Sequence, residues 1–342
     1  MSGLRVSGGG VLARLASVLL LVSLLPLGAS RAQTRLVVIS GLAGEPKYVN
    51  AFHAWSASLI DAATNRYGVA DSSITWLAEN PAKAPGRIRG RSSKENIERA
   101  LEGLATRMQS TEQLVVVLVG HGSMQGESAR LTLPGPDLSA ADLSRLLAKF
   151  GSRRVAIIVA ASSSGDFVPA LSAPGRVIIT ATKSGFERNE SIFGEHFVAA
   201  LAGDGADADK DGRVSLLEAF TYATREVRRI YEQDNRLLTE HALLDDNGDR
   251  TGSAEPGARG GDGGVARAFF LTGGAAATTI TSSDPRAVAL RKEKAELESK
   301  IEALKARKDA MDAKAYEAEL ERLLVDLAAA TRALRTLEGR SQ

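Results

Sequence analysis

The stretch Gln113-Leu-Val-Val-Val-Leu-Val-Gly-His-Gly-Ser123 decides the fold class. Between Leu114 and Val119 every position is apolar, with no alternation of polar and apolar residues. A strand exposed on one face alternates; a strand buried on both faces does not, and parallel sheets covered by helices on each side are built from the second kind. Three more runs read the same way: Arg35-Leu-Val-Val-Ile-Ser40, Val155-Ala-Ile-Ile-Val-Ala160 and Val177-Ile-Ile-Thr-Ala181. Helical stretches lie between them. Ser92 and Ser93 can cap a helix running to Met108, with Ile97, Leu101, Leu104 and Met108 on one face. Ser139-Ala-Ala-Asp142 reads as a capping box opening a helix through Leu147. The expected fold class is α/β, with a mostly parallel central sheet flanked by helices.

Composition bounds the function. The chain has 342 residues, 44% apolar and 25% charged, as expected of a soluble protein with a substantial core. Its formal charge is +2, but Arg5, Arg14 and Arg31 are unopposed in residues 1–32, and the remainder carries −1. Nucleic-acid binding by bulk charge is unsupported. With no cysteine, disulfides, thiolate metal sites and cysteine nucleophiles are excluded. No His-x-x-x-His pair points to zinc. Gly41-Leu-Ala-Gly44 is not a dinucleotide fingerprint.

Residues 1–32 read as a secretory signal peptide. Arg5 and Arg14 precede an uncharged run from Leu15 to Ser30, and Ser30-Arg31-Ala32 is a small-x-small cleavage site. The other reading is a membrane anchor, for which the run is short and Pro26 is ill placed. The expectation is an exported chain, periplasmic or extracellular, with no membrane span after cleavage.

The α/β domain should occupy 33–272. Within it, Leu244 to Gly264 is rich in Gly, Asp, Asn and Ser and is expected to form a mobile surface loop. Val265 to Leu271 reads as a last strand. Residues 273–285 form a small-residue linker, and 286–338 change to the Ala, Glu, Lys, Arg and Leu of long helices. Leu290, Leu297, Leu304 and Met311 repeat every seven residues, with Ile301 on the same seam. Leu320, Leu327 and Leu334 repeat likewise beside Leu323, Ala330 and Leu337, but out of phase with the first series. The phase change favours an antiparallel coiled-coil hairpin turning near Asp309–Ala315 over one helix with a stutter. The C-terminal helices are a candidate surface for self-association.

A twelve-residue calcium loop is the sharpest motif. Asp207-Ala-Asp209-Lys-Asp211-Gly212-Arg213-Val214-Ser215-Leu-Leu-Glu218 fits the EF-hand pattern at its diagnostic places. The expected Ca2+ ligands are Asp207, Asp209, Asp211, the Arg213 carbonyl, Ser215 or its water, and Glu218, with Gly212 at the turn. An entering helix from Ser191 to Leu201 and an exiting one from Leu216 to Tyr231 complete the helix-loop-helix. The competing reading is an acidic turn capping the second helix. Asp245-Asp246-Asn247-Gly248-Asp249 lacks that spacing and the terminal glutamate; it reads as a turn, or an accessory cation site. His53, His196 and His241 read as isolated.

In a parallel sheet, ligands bind at the carboxyl ends of the strands. One strand here runs into Gly120-His121-Gly122-Ser123 and another into Ala161-Ser162-Ser163-Ser164-Gly165. If those strands are neighbours, a histidine and a hydroxyl face one crevice. A strand ending in His-Gly-Ser, followed about forty residues later by one ending in Ala-Cys-x-Ser-Gly, is the pattern of the legumain and caspase clan of cysteine peptidases. This sequence resembles that clan over roughly Arg35 to Thr272, with Ser162 where the clan has its nucleophile. Thr180-Ala-Thr182 to Glu190-Ser191 also resembles the legumain-type segment beyond the nucleophile strand. The resemblance implies the caspase-hemoglobinase fold and, in an active enzyme, oxyanion donors at the Gly122 and Ser162 backbone N–H groups. A serine cannot be held as a preformed anion as a thiolate can; His121 would have to take its proton during attack. Two readings follow: a non-catalytic relative that binds a peptide or protein partner and carries a structural calcium, or a peptide hydrolase using a Ser162/His121 dyad.

Overall fold

The computed structural model describes residues 33–273 apart from 127 and 258–260, and in the C-terminal region 286, 289–290, 293, 297, 300–301, 304 and 312–339. The signal reading of 1–32 and nearly all of the linker at 273–285 lie outside the described residues.

The apolar runs form the middle of a seven-stranded sheet. In chain order its strands are β1 (Thr34–Ser40), β2 (Ile74–Ala78), β3 (Ile88–Arg91), β4 (Gln113–Gly120), β8 (Val155–Ala161), β9 (Arg176–Thr180) and β10 (Leu243–Asp245). Their spatial order is β10-β9-β8-β4-β1-β2-β3, and only β10 is antiparallel to its neighbour. The mostly parallel α/β architecture expected from the sequence is the one found. A second sheet of three short antiparallel strands, β5 (Gly122–Gln125), β6 (Ser128–Leu131) and β7 (Leu138–Ser139), branches off directly after His121.

Alternate residues of the central strands feed two separate cores, which is why these strands are apolar throughout. On one face Leu36, Val38, Val115, Val117 and Ile158 pack under α1 (Pro46–Asn65), α5 (Phe193–Ala202) and α6 (Leu216–Gln233) through Phe52, Leu59, Phe197 and Phe220. On the other, Val37, Ile39, Val116, Leu118 and Ile157 pack under α2 (Lys94–Arg107), α3 (Ala140–Ala148) and α4 (Phe167–Leu171) through Ile97, Leu101, Leu143 and Phe167. Each such fully buried aliphatic side chain contributes roughly 1.5–3 kcal/mol. The two caps read from sequence are formed: Ser93 Oγ accepts the Asn96 N–H, and Ser139 and Asp142 make the reciprocal capping box.

The chain leaves β1 for β2 and β3 on one side, then returns to place β4 on the other and continues to β8 and β9. The topological switch therefore lies between β1 and β4, where the strand ends leave a crevice. The register Gly120↔Ala161 sets the ends of β4 and β8 side by side.

Two local expectations are corrected. Residues 244–264 are fastened rather than mobile over their described part. Leu244 is fully buried, pairs with Ile179 in the sheet and bridges to Ser253. Asp245, Asp246 and Asp262 are buried too, tied down by side-chain to main-chain bonds that hydrophobic periodicity does not register. Residues 265–271 are not a strand. The Asp246 carboxylate accepts the Gly263 and Ala266 N–H groups, and the chain forms the short helix α7 (Gly264–Arg267), followed by a lone bridge from Phe270 to Ser215.

Of the tail, the described residues include a helix, Ala313–Gly339. Leu297, Ile301 and Leu304 are buried with Leu323 and Ala330 in one cluster, with Leu290, Tyr316, Leu320 and Leu327 packed around it.

Candidate functional site

His121 and Ser162 are the first residues beyond two paired strands, so the sheet brings them to the same edge. Gly122 makes the closest approach. Its N–H donates to Ser162 Oγ at 3.3 Å, and the hydroxyl in turn faces the Gly122 carbonyl at 3.5 Å. A Cβ at position 122 would stand 2.0 Å from the Ser162 carbonyl oxygen, so only glycine fits there.

The imidazole points the other way, toward the end of β1. His121 Nε2 lies 3.2 Å from the Ala43 carbonyl. A carbonyl only accepts, so Nε2 carries the hydrogen and, in the neutral ring, Nδ1 holds the lone pair. Tyr48 and Phe52 from α1 meet the ring edge-on, at 4.5 and 5.1 Å between centroids. The sequence reading did not assign a helix here, although Pro46 suits a first turn and Tyr48, Phe52 and Leu59 recur at helical spacing. Among the described residues no hydrogen bond joins His121 to Ser162, and no carboxylate bonds the imidazole of His121.

The loop after β8 is held rigidly. Ser162 is 6% exposed, Ser163 1% and Ser164 fully buried. Ser163 adopts φ 50° and its N–H donates to the Glu187 carbonyl at 2.8 Å. Ser164 Oγ accepts the Ala181 and Thr182 N–H groups, while Thr182 Oγ1 accepts those of Ser164 and Gly165. The serine loop and the 181–187 turn are thus interlocked. A Cβ on Gly165 would collide with the Lys183 backbone at 2.1 Å.

His241, read as isolated, is not. Its Nδ1 lies 2.5 Å from Glu187 Oε1, and Glu187 Oε2 accepts the Lys183 and His241 N–H groups. The pairing spans 54 residues, which local spacing cannot reveal. Beside it, Glu240 is 3% exposed and accepts the Ile192 N–H at 2.8 Å. Burial pushes its carboxyl up to about 7, against the main-chain hydrogen bonds that favour the anion, and the nearby Glu187 adds to the rise. Burial likewise lowers His196, whose Nε2 has no hydrogen-bond partner. His53 stacks obliquely on Trp76 in a cleft of about 250 Å³ that also touches Ala43 and Phe52, the residues around His121.

The acidic loop is assembled at its own end of the domain. Carboxylate oxygens of Asp207, Asp209 and Asp211 lie within 4.8 Å of one another. Asp207 accepts the Asp211 and Gly212 N–H groups, Asp209 that of Asp211, and Asp211 that of Arg213. Lys210 and Gly212 take φ of 61° and 84°, the tight turn for which Gly212 is suited. Ser215 and Glu218 form the capping box of α6, and Glu218 Oε1 reaches back to the Ala208 N–H at 2.9 Å. The set offers hard oxygen donors only, which suits calcium over zinc or copper. A cleft of about 460 Å³ opens beside it, lined by Asp207, Asp209, Glu218, Tyr222 and Arg225.

No family model matches the sequence, and no curated protein matches it. Similar solved structures include the Drosophila initiator caspase Dronc, at 12% identity over 65% of this chain and 83% of that one, with a TM-score of 0.41. The caspase drICE is 11% identical over 64% and 89%, with a TM-score of 0.39. Protein GSU0716 from Geobacter sulfurreducens is 12% identical over 62% and 92%, with a TM-score of 0.40. No helix among the described residues is long and apolar enough to cross a membrane.

Proposed function

We propose that this chain is an exported, non-catalytic relative of the caspase and legumain peptidases that holds a peptide or protein partner in the crevice beyond β4 and β8. The carrying observation is the Gly122–Ser162 contact. The Ser162 hydroxyl is nearly buried and sits on the N–H that would otherwise receive a developing oxyanion. The imidazole is engaged with Ala43, and among the described residues no carboxylate orients it for proton transfer from a hydroxyl. The 250 Å³ cleft beside Ala43 and Phe52 is of a size for one side chain of a bound peptide. Calcium in the 207–218 loop would fasten α5 to α6 and so stabilise the domain, with Asp207, Asp209, Asp211 and Glu218 as its charged ligands. Self-association is proposed through the C-terminal helices, at the exposed Leu324 and Val325, since the described seam residues are buried within the chain.

One observation favours the active alternative: the Ala43 carbonyl fixes the tautomer that leaves Nδ1 of His121 as a base. A fluorophosphonate probe separates the two. No labelling of the folded chain, together with equal binding of a short-peptide array by wild type and Ser162→Ala, supports the binding reading. Labelling abolished by both Ser162→Ala and His121→Ala replaces it with a Ser162/His121 hydrolase.

A further inference from the structure

The second acidic segment, 245–251, returns the chain from the end of β10 to a bridge between Leu244 and Ser253. Three of the carboxylates gathered there are buried: Asp245 at 1% exposure, Asp246 at 2% and Asp262 at 4%. Among the described residues no lysine, arginine or histidine forms an ion pair with any of them. Main-chain N–H groups satisfy two: both oxygens of Asp246 are taken by Gly263 and Ala266, and Asp262 Oδ1 accepts from Asp246 and Asn247. Asp245 differs. Its Oδ1 accepts the Gly248 N–H at 3.1 Å, which turns the carboxylate into the loop, while its Oδ2 is buried with no partner. An anionic oxygen buried without a partner is strongly unfavourable, and a cation relieves it.

Residues 247–251, which follow Asp245 in the loop, repeat the hydrogen-bond pattern of the 207–213 loop. Asn247 Oδ1 accepts the Asp249 N–H, and Asp249 Oδ1 accepts the Thr251 N–H, as Asp209 and Asp211 serve the residues two places on in the first loop. Asn247 and Asp249 are exposed, so the loop is open to water and to an entering ion. We propose that this loop is a second calcium site, with Asp245 Oδ2, Asn247 Oδ1 and the Asp249 carboxylate as its side-chain donors. The donors are all oxygen, and an irregular loop completed by water suits calcium better than magnesium, which demands a near-ideal octahedron. Arg250, inside the loop, donates from its main chain to Ser172 Oγ and from Nε to the Pro169 carbonyl. An ion held here therefore clamps α4, the helix that follows the Ser162 loop.

The test is titration of calcium chloride into the chelator-stripped full chain by calorimetry, with folding of every variant checked by circular dichroism. It is independent of the 207–218 reading. Wild type should take up two ions, and Glu218→Gln should remove only the one at 207–218. In the Glu218→Gln background, Asp245→Asn should abolish the remaining binding, and exposed Asp249→Ala should weaken it by about tenfold or more. Magnesium chloride should give no matching heat. One ion lost with Asp245→Asn but kept in Glu218→Gln would uphold this site and remove the other. A Glu218→Gln chain that binds no calcium, binding unchanged by both Asp245→Asn and Asp249→Ala, or equal binding of magnesium would overturn the proposal.

Discussion

The Gly122 N–H donates to Ser162 Oγ at 3.3 Å, across a contact so close that a Cβ on Gly122 would lie 2.0 Å from the Ser162 carbonyl. The backbone approach and the hydroxyl contact are separable by mutation. Gly122→Ala should cost roughly 2–4 kcal/mol, because main chain must move. Ser162→Ala should cost about 1 kcal/mol or less, since it removes two long hydrogen bonds to the partly exposed Gly122 backbone. Urea unfolding of both variants checks the contrast; equal destabilisation would contradict the packing.

Thr182 should be the keystone of the serine loop. Its Oγ1 accepts two buried N–H groups, from Ser164 at 2.7 Å and Gly165 at 3.2 Å. Thr182→Val keeps the shape but strands both donors and should cost roughly 3 kcal/mol, while Thr182→Ser should recover most of it. Thermal unfolding of the pair measures the difference.

Glu240 should make the fold less stable at neutral pH than in mild acid. Its carboxyl titrates at about 7 when folded and near 4.5 when unfolded. Between those values the unfolded chain has released the proton and the folded chain still holds it, so stability falls as pH rises from about 4.5 to 7 and is level above. The full effect is on the order of 3 kcal/mol. Glu240→Gln should remove this slope and gain stability at pH 8 relative to wild type while matching it at pH 4. Denaturant midpoints across that range decide it; parallel profiles would refute the assignment.

Removing calcium should lower the melting temperature. With the ion at a hundredfold excess over Kd, one site bound only in the folded state is worth about 2.7 kcal/mol. Glu218→Gln should lose the part of that shift belonging to the 207–218 loop. Ser215→Ala, which removes the N-cap of α6, should cost about 1 kcal/mol in chelator, where no ion contributes. Melting curves with calcium and with chelator separate the cap from the metal.

The sequence by itself determined the central strands, because burial on both faces of a sheet leaves a mark at every position: Leu114–Val119 and Val155–Ala160 fall within β4 and β8. It determined the caps at Ser93 and Ser139 and the acidic loop at 207–218, since these are local patterns satisfied by residues three to eleven places apart. It also picked out His121 and Ser162, as residues that end apolar runs. Only the tertiary structure decided what those residues touch. That β4 lies beside β8 is a matter of strand order, and strand order is set by which layers pack together. The Ala43 carbonyl against His121, Glu187 against His241 and Asp246 against the N-terminus of α7 join residues 17 to 78 places apart in sequence. Such pairings arise from side chains and main-chain groups meeting after the sheet has closed, and no period or motif along the chain encodes them.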